Sequence, residues 1–130
     1  MKSKLVRKNP MQAPKPVGKY SHVTIIPKDA TMYAFSGQIG ICYDDQLPQT
    51  LLEQTTNTFT NIETILATEG IDANHIVKVN IWATEEIDWD HFYLQWEAMF
   101  GDSYPSMTIA YVSALGLPEI KIEIDIWAAK

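Results

Sequence analysis

Two carboxylates stand two residues apart near the end of the chain, in Ile120-Lys121-Ile122-Glu123-Ile124-Asp125-Ile126-Trp127. Isoleucine fills every second position, so the stretch reads as a strand with one apolar face and another carrying Lys121, Glu123, Asp125 and Trp127. At about 3.3 Å of rise per residue, Glu123 and Asp125 project from that face roughly 6.5–7 Å apart. Such a pair can hold or activate a water by general acid–base action. Solvated charges on an outer face are the commoner use of this pattern. The other reactive side chains give less. His22, His75 and His91 fall in three separate stretches without metal-ligand spacing, so they read as structural or surface residues and no metal is expected. Ser36, in Phe35-Ser36-Gly37-Gln38, lacks the Gly-x-Ser-x-Gly of a nucleophile elbow and reads as a strand end. Cys42 is the only cysteine, with no partner for a disulfide or a zinc site, which suits a reducing, cytoplasmic setting.

The whole chain narrows the classes of function. Its 130 residues, 46% of them hydrophobic, suffice for one core, so residues 1–130 are expected to form a single domain. A net charge of −6 opposes nucleic acid as a partner, because polyanion binding needs a basic footprint. The basic start of the chain is not followed by a continuous apolar run, so neither a signal peptide nor a membrane span is expected. There is no internal repeat, and residues 9–16, with three prolines, form the only linker-like stretch.

The elements that must position these groups follow from periodicity. Residues 4–8 suit a short edge strand. Residues 20–26 and 32–38 read as two antiparallel strands joined by a turn at Pro27-Lys28-Asp29-Ala30, with Gly37 and Gly40 marking a bulge or a close backbone approach. Between Pro48 and Gly70, Leu51, Leu52, Phe59, Ile62, Ile65 and Leu66 keep helical spacing, with Pro48 in the first turn and Gly70 as cap. Residues 75–83 form a strand with Val77, Val79 and Ile81 on one side and Lys78, Asn80 and Trp82 on the other. Trp89, Phe92, Tyr93, Trp96 and Phe100 then give a second amphipathic helix between an Asp88 N-cap and a Gly101 stop, its aromatics destined for the core rather than for stacking on a ligand. Residues 107–112 and 120–127 read as a closing hairpin around Gly116 and Pro118. The resulting order suggests two β-α-β halves in one sheet. Two helices can cover only one face of it, so an oligomer is favoured over a monomer.

Several stretches taken together resemble the Rid family of reactive-intermediate deaminases, also called YjgF-like or endoribonuclease L-PSP proteins. They are Pro16-Val17-Gly18-Lys19-Tyr20-Ser21, Phe35-Ser36-Gly37-Gln38-Ile39, residues 54–62, Ile76-Val77-Lys78-Val79, Trp96-Glu97-Ala98-Met99-Phe100 and residues 121–128. The resemblance implies an α+β, chorismate-mutase-like fold: a mixed six-stranded sheet with two helices on one face, assembled as a homotrimer with small clefts between subunits. It implies hydrolysis of enamines and imines, such as 2-aminoacrylate, to an oxo product and ammonia, with no metal or organic cofactor. Onto this chain it maps Glu123 as the acid that positions the water. Tyr20, Ser36, Gly37, Tyr93, Met107, Thr108 and Ile109 map to the surrounding cleft.

The pattern departs at one position above all. In Pro105-Ser106-Met107-Thr108-Ile109, Met107 stands where the family has an arginine that clamps the substrate carboxylate, and a thioether cannot donate two parallel hydrogen bonds. The only arginine here is Arg7. Tyr93 likewise replaces a frequent asparagine. Two readings follow: a hydrolase for an enamine or imine other than the usual 2-imino acid, or a non-enzymatic small-molecule binder or partner protein. RNA cleavage, suggested by the older family name, is opposed by the acidic charge and by the lack of clustered His, Lys and Arg.

Overall fold

The isoleucine alternation builds the central strand. In the computed structural model, which describes residues 4–130, Ile122, Ile124 and Ile126 are buried, Glu123 and Asp125 are half-buried on the reverse face, and Trp127 is exposed. Among these residues the strands are β1 (Val6–Lys8), β2 (Val23–Ile25), β3 (Met32–Ala34), β4 (Ile76–Ala83), β5 (Ser106–Tyr111) and β6 (Ile122–Ala129). The helices are α1 (Leu51–Thr68) and α2 (Trp89–Phe100), with a 3-10 turn at Ala73–His75.

Strand pairing differs from the sequence expectation in three ways. The closing hairpin does not form: the main sheet runs β3-β6-β4-β5, so β4 lies between the two strands expected to pair. Ile81 stands opposite Ile124 of antiparallel β6 on one side and Ile109 of parallel β5 on the other. The β4–β5 pair is parallel because α2 carries the chain back between them, as parallel neighbours require. The stretch with Gly116 and Pro118 is a crossing loop rather than a hairpin turn. The N-terminal hairpin is also absent. Its turn forms, with Ala30 N–H donating to the Pro27 carbonyl at 3.1 Å, but it sends the chain from β2, paired with β1, to β3, paired with β6. Consequently the expected six-stranded sheet is divided into a two-stranded and a four-stranded one. Side-chain and loop bonds join them: Ser21 N–H to the Pro105 carbonyl at 3.1 Å, and the Thr24 and Ser106 hydroxyls at 2.8 Å.

The helices agree more closely. Asp88 caps α2 by accepting from His91 N–H, and Gly101, at φ 69°, ends it. α1 begins at Leu51 rather than at Pro48, because Thr50 caps it: its hydroxyl accepts from Glu53 N–H at 3.1 Å and donates to the Glu53 carboxylate at 2.9 Å. Phe59, Ile62 and Leu66 of α1 and Phe92, Trp96 and Phe100 of α2 pack with the isoleucines of β4 and β6 into one core. Both helices therefore cover the same sheet face. The opposite face presents Lys78, Asn80 and Trp82 of β4 beside Trp127, Asp125 and Glu123 of β6.

Two polar anchors fix the ends of this arrangement. Gln54 is fully buried on α1, where its amide donates to the Pro48 and Glu119 carbonyls and accepts from Lys121 N–H, which sets where β6 begins. Arg7 of β1 donates to the Ser103, Ala73 and Ile76 carbonyls at 2.6–2.8 Å and lies over the Phe100 ring. Burial lowers its pKa to about 10, against the opposing pull of Asp72. No helix among the described residues is long and apolar enough to cross a membrane.

Candidate functional site

Glu123 and Asp125 share a strand face, as their spacing requires, yet their surroundings differ. Asp125 accepts from Asn80 Nδ2 and from Trp82 Nε1, both at 2.9 Å, so each carboxylate oxygen is engaged by a neighbour on β4. Asp125 is therefore held as a structural acceptor, in contrast to Glu123. Glu123 has no hydrogen-bond partner for its carboxylate among the described residues. Instead the carboxylate lies against Gly37: a Cβ there would stand 2.0 Å from Oε2 and 2.7 Å from Cδ. Only glycine permits that approach. The backbone is held in place by reciprocal bonds, Gln38 N–H to the Ile124 carbonyl at 2.7 Å and Ile124 N–H to the Gln38 carbonyl at 2.9 Å. Ser36, next to Gly37, is exposed, and its carbonyl accepts from the Gln38 side chain.

A second group forms around α2. Lys19 N–H reaches the Tyr93 hydroxyl at 3.4 Å, and a Cβ on Gly18 would stand 2.7 Å from that oxygen and 3.6 Å from the Tyr20 ring. The Tyr20 hydroxyl accepts from Val17 N–H at 3.2 Å. Trp96 Nε1 donates to the Lys19 carbonyl at 2.7 Å, and Ser21 Oγ donates to the Tyr104 carbonyl at 2.6 Å, so this segment is tied to α2 and to the start of β5. Met107 and Ile109 stand opposite Val79 and Ile81, hence on the helix-covered face, where they pack against the core, as Tyr93 and Tyr104 also do. Thr108 faces the other way and accepts from Lys78 Nζ at 2.9 Å.

The sequence-predicted residues are thus not assembled within one chain. Ser36, Gly37 and Glu123 lie together, Tyr20 and Tyr93 meet around Gly18, and Met107 and Ile109 lie on the helix-covered face of β5. Thr108 belongs with the Asp125 face. Glu123 pairs with Trp82 and Met107 with Val79, on opposite faces with β4 between them, which places their Cα atoms roughly 14 Å apart for strands about 4.8 Å apart. A groove of about 540 Å³ lies elsewhere, between α1 and the loop around Cys42, and none of the predicted residues lines it. His22, His75 and His91 remain in separate places: His22 on the Pro14 carbonyl, His75 in the capping box of the 3-10 turn, and His91 beside Gln95 and Thr56.

Two features escaped the sequence reading. The partners of Asp125 were foreshadowed, since Asn80 and Trp82 alternate on one side of their strand, but nothing local says which strand lies opposite. Lys19 carried no signal beyond its place before Tyr20. Its ammonium lies over the Tyr93 and Tyr104 rings, 5.7 and 6.0 Å from their centroids, and bonds to Glu97 at 2.8 Å. The hydrogen bond and the charge of Glu97 raise its pKa.

Known proteins share this sequence pattern and this arrangement. The family described as endoribonuclease L-PSP matches residues 10–130. A 2-iminobutanoate/2-iminopropanoate deaminase of Bos taurus is 30% identical over 117 residues, covering 87% of this chain and 83% of that protein. A RutC family protein of Leuconostoc mesenteroides subsp. cremoris, from the leuC 5' region, is 33% identical over 124 residues, covering 91% and 92%. The crystal structure of the Rid-family protein YyfB from Yersinia pestis superposes with a TM-score of 0.85 at 21% identity, covering 98% of this chain and all of the other, a likeness of fold.

Proposed function

The chain belongs to the endoribonuclease L-PSP family, the Rid or YjgF-like proteins, and from that premise we propose that it is an enamine or imine deaminase working in clefts between the subunits of a homotrimer. The observation that carries this reading is the carboxylate of Glu123, unengaged and laid against Gly37, on the face that the helices leave open. Water adds to the carbon of a C=N bond, giving a carbinolamine, and the C–N bond then breaks to leave an oxo product and ammonia. Glu123 takes one proton from the attacking water and passes it to the nitrogen, then relays the carbinolamine hydroxyl proton to that nitrogen as the C–N bond breaks, so both protons of the water leave with the ammonia. Tyr20, Tyr93, Met107 and Ile109 supply the opposite wall. Because they lie across the sheet from Glu123, that wall comes from a neighbouring copy of the chain, whereas Ser36, Gly37 and Thr108 would meet the ligand from Glu123's own side.

Substrate choice departs from that of the relatives named as 2-imino acid deaminases. Met107 offers no hydrogen-bond donor to a carboxylate beside the reacting carbon, and losing such a charge-assisted contact costs about 2–5 kcal/mol. We therefore expect low activity on 2-imino acids and better activity on imines that lack a carboxylate at that carbon. The same methionine also favours a second reading, a binding protein without turnover.

Ammonia release separates the two. Screening imines without an α-carboxylate should reveal a substrate for which Glu123→Gln lowers turnover about 100-fold or more, within the range of general acid–base catalysis. No turnover at all while ligands still stabilise the protein would favour the binding protein, and turnover indifferent to that substitution would remove Glu123 from the chemistry. Mass in solution should be that of three chains. A monodisperse monomer at micromolar concentration would remove the shared cleft.

A further inference from the structure

Met107 removes a cation from the cleft wall, but the wall is not without one. The Lys19 ammonium lies over the Tyr93 and Tyr104 rings with its side chain 41% exposed. Its backbone is pinned independently by Tyr93 and Trp96, so the position is a property of the fold and not of the ion pair alone. The other cations with partners near these strands are otherwise committed. Lys78 serves Thr108 on the far face, Lys121 is paired with Glu85, and Arg7 is spent on three carbonyls. Lys19 gives one of its three N–H donors to Glu97, leaving two for a ligand, and the tyrosine faces hold the ammonium in place by cation–π attraction.

The charge is displaced from the position of Met107. Tyr104, beside Lys19, precedes Met107 by three residues, roughly 10 Å along an extended chain. We propose that Lys19 is the specificity-determining residue of this wall, and that it selects imines and oxo products whose carboxylate lies several bonds from the reacting carbon. This rests on the cleft described under the proposed function and names its substrate class. An acid adjacent to the C=N carbon would meet the thioether of Met107, whereas a distal one spans the apolar wall of Met107 and Ile109 and ends at the ammonium.

The test uses two isomeric oxo acids as product analogues, 5-oxohexanoate and 2-oxohexanoate, with neutral 5-oxohexanamide as control. Affinity is read from thermal stabilisation of the full chain, since a ligand bound only to the native state raises its stability. The parent should bind 5-oxohexanoate at least about tenfold more tightly than its isomer, as one charge-assisted hydrogen bond allows. Lys19→Met should erase that preference while lowering the affinity for the neutral amide much less than that for 5-oxohexanoate. Glu97→Gln, which removes the competing carboxylate, should tighten 5-oxohexanoate several-fold, a gain that a purely structural ion pair would not give. Equal affinities for the two isomers, or a preference unchanged in Lys19→Met, would overturn the inference, as would failure of 5-oxohexanoate to bind. If it fails while carboxylate-free imines are still turned over through Glu123, the cleft stands and only the role of Lys19 falls. If 5-oxohexanoate binds through Lys19 and no imine is turned over, the hydrolase reading falls and the role of Lys19 stands.

Discussion

The two walls of the proposed cleft are made in different ways. The Glu123 wall is set by backbone: Gly37 lies beneath the carboxylate where no Cβ fits, and reciprocal bonds between Gln38 and Ile124 hold the two chain segments together. The Tyr93 wall is set by side chains, with Lys19 over Tyr93 and Tyr104 and with Met107 packed against the core. A wall made of backbone contacts tolerates almost no substitution, because a single added carbon displaces the acid. A wall made of side chains can exchange an arginine for a methionine and keep its fold. On the proposed function, the chemistry would be fixed on one side while the choice of substrate could drift on the other.

Substitutions can break this comparison. The largest effect should come from Gly37→Ala. Gly37 is not among the glycines with positive φ, so alanine adds no backbone strain, but its Cβ must push the flexible end of Glu123 aside. Displacing the acid by an ångström or more should cost about 100-fold in turnover with the melting temperature little changed. A variant as active as the parent would show that the contact is incidental.

Next is Asp125→Ala, which leaves the Asn80 and Trp82 N–H groups without their acceptor. It should lower unfolding stability by about 1–3 kcal/mol in a denaturant titration, while the folded fraction keeps its turnover. Loss of turnover with stability intact would return Asp125 to the catalytic side of the comparison. The smallest effect should be that of Tyr93→Phe, which removes a long 3.4 Å contact with Lys19 N–H. A change of about 1 kcal/mol or less is expected by the same titration, and a larger one would mean that this wall is less tolerant than its construction implies.

The same distinction between local and distant determinants explains what the sequence made legible. The alternating isoleucines and the 3.6-residue spacing of the aromatics are local patterns, so β6, β4 and both helices could be located from them, as could the Asp88 cap and the Gly101 stop. Strand partners are not local. Gly116 and Pro118 look like a hairpin turn whether the next strand pairs with the previous one or passes over β4, and only the packed core decides. At the site, Gly37 was legible as a point of close approach, and Glu123 as lying on a polar face. The neighbour each would meet was not. Asp125 resembled Glu123 in sequence and differs from it because Asn80, opposite Asp125, and Trp82, opposite Glu123, both direct their N–H donors to Asp125. Lys19 was invisible for the same reason, since its surroundings come from α2 and from the start of β5.

The account turns on one substitution. With 2-aminoacrylate generated in situ and ammonia as the readout, Met107→Arg should exceed the parent by roughly one and a half to three and a half decades, the equivalent of about 2–5 kcal/mol of restored carboxylate binding beside an intact Glu123 and Gly37. The buried guanidinium should also lower stability until a carboxylate binds. Parent and variant rates that are equal, whether both fast or both undetectable, would contradict the claim that the hydrolytic wall is intact and that Met107 is the main bar to 2-imino acids.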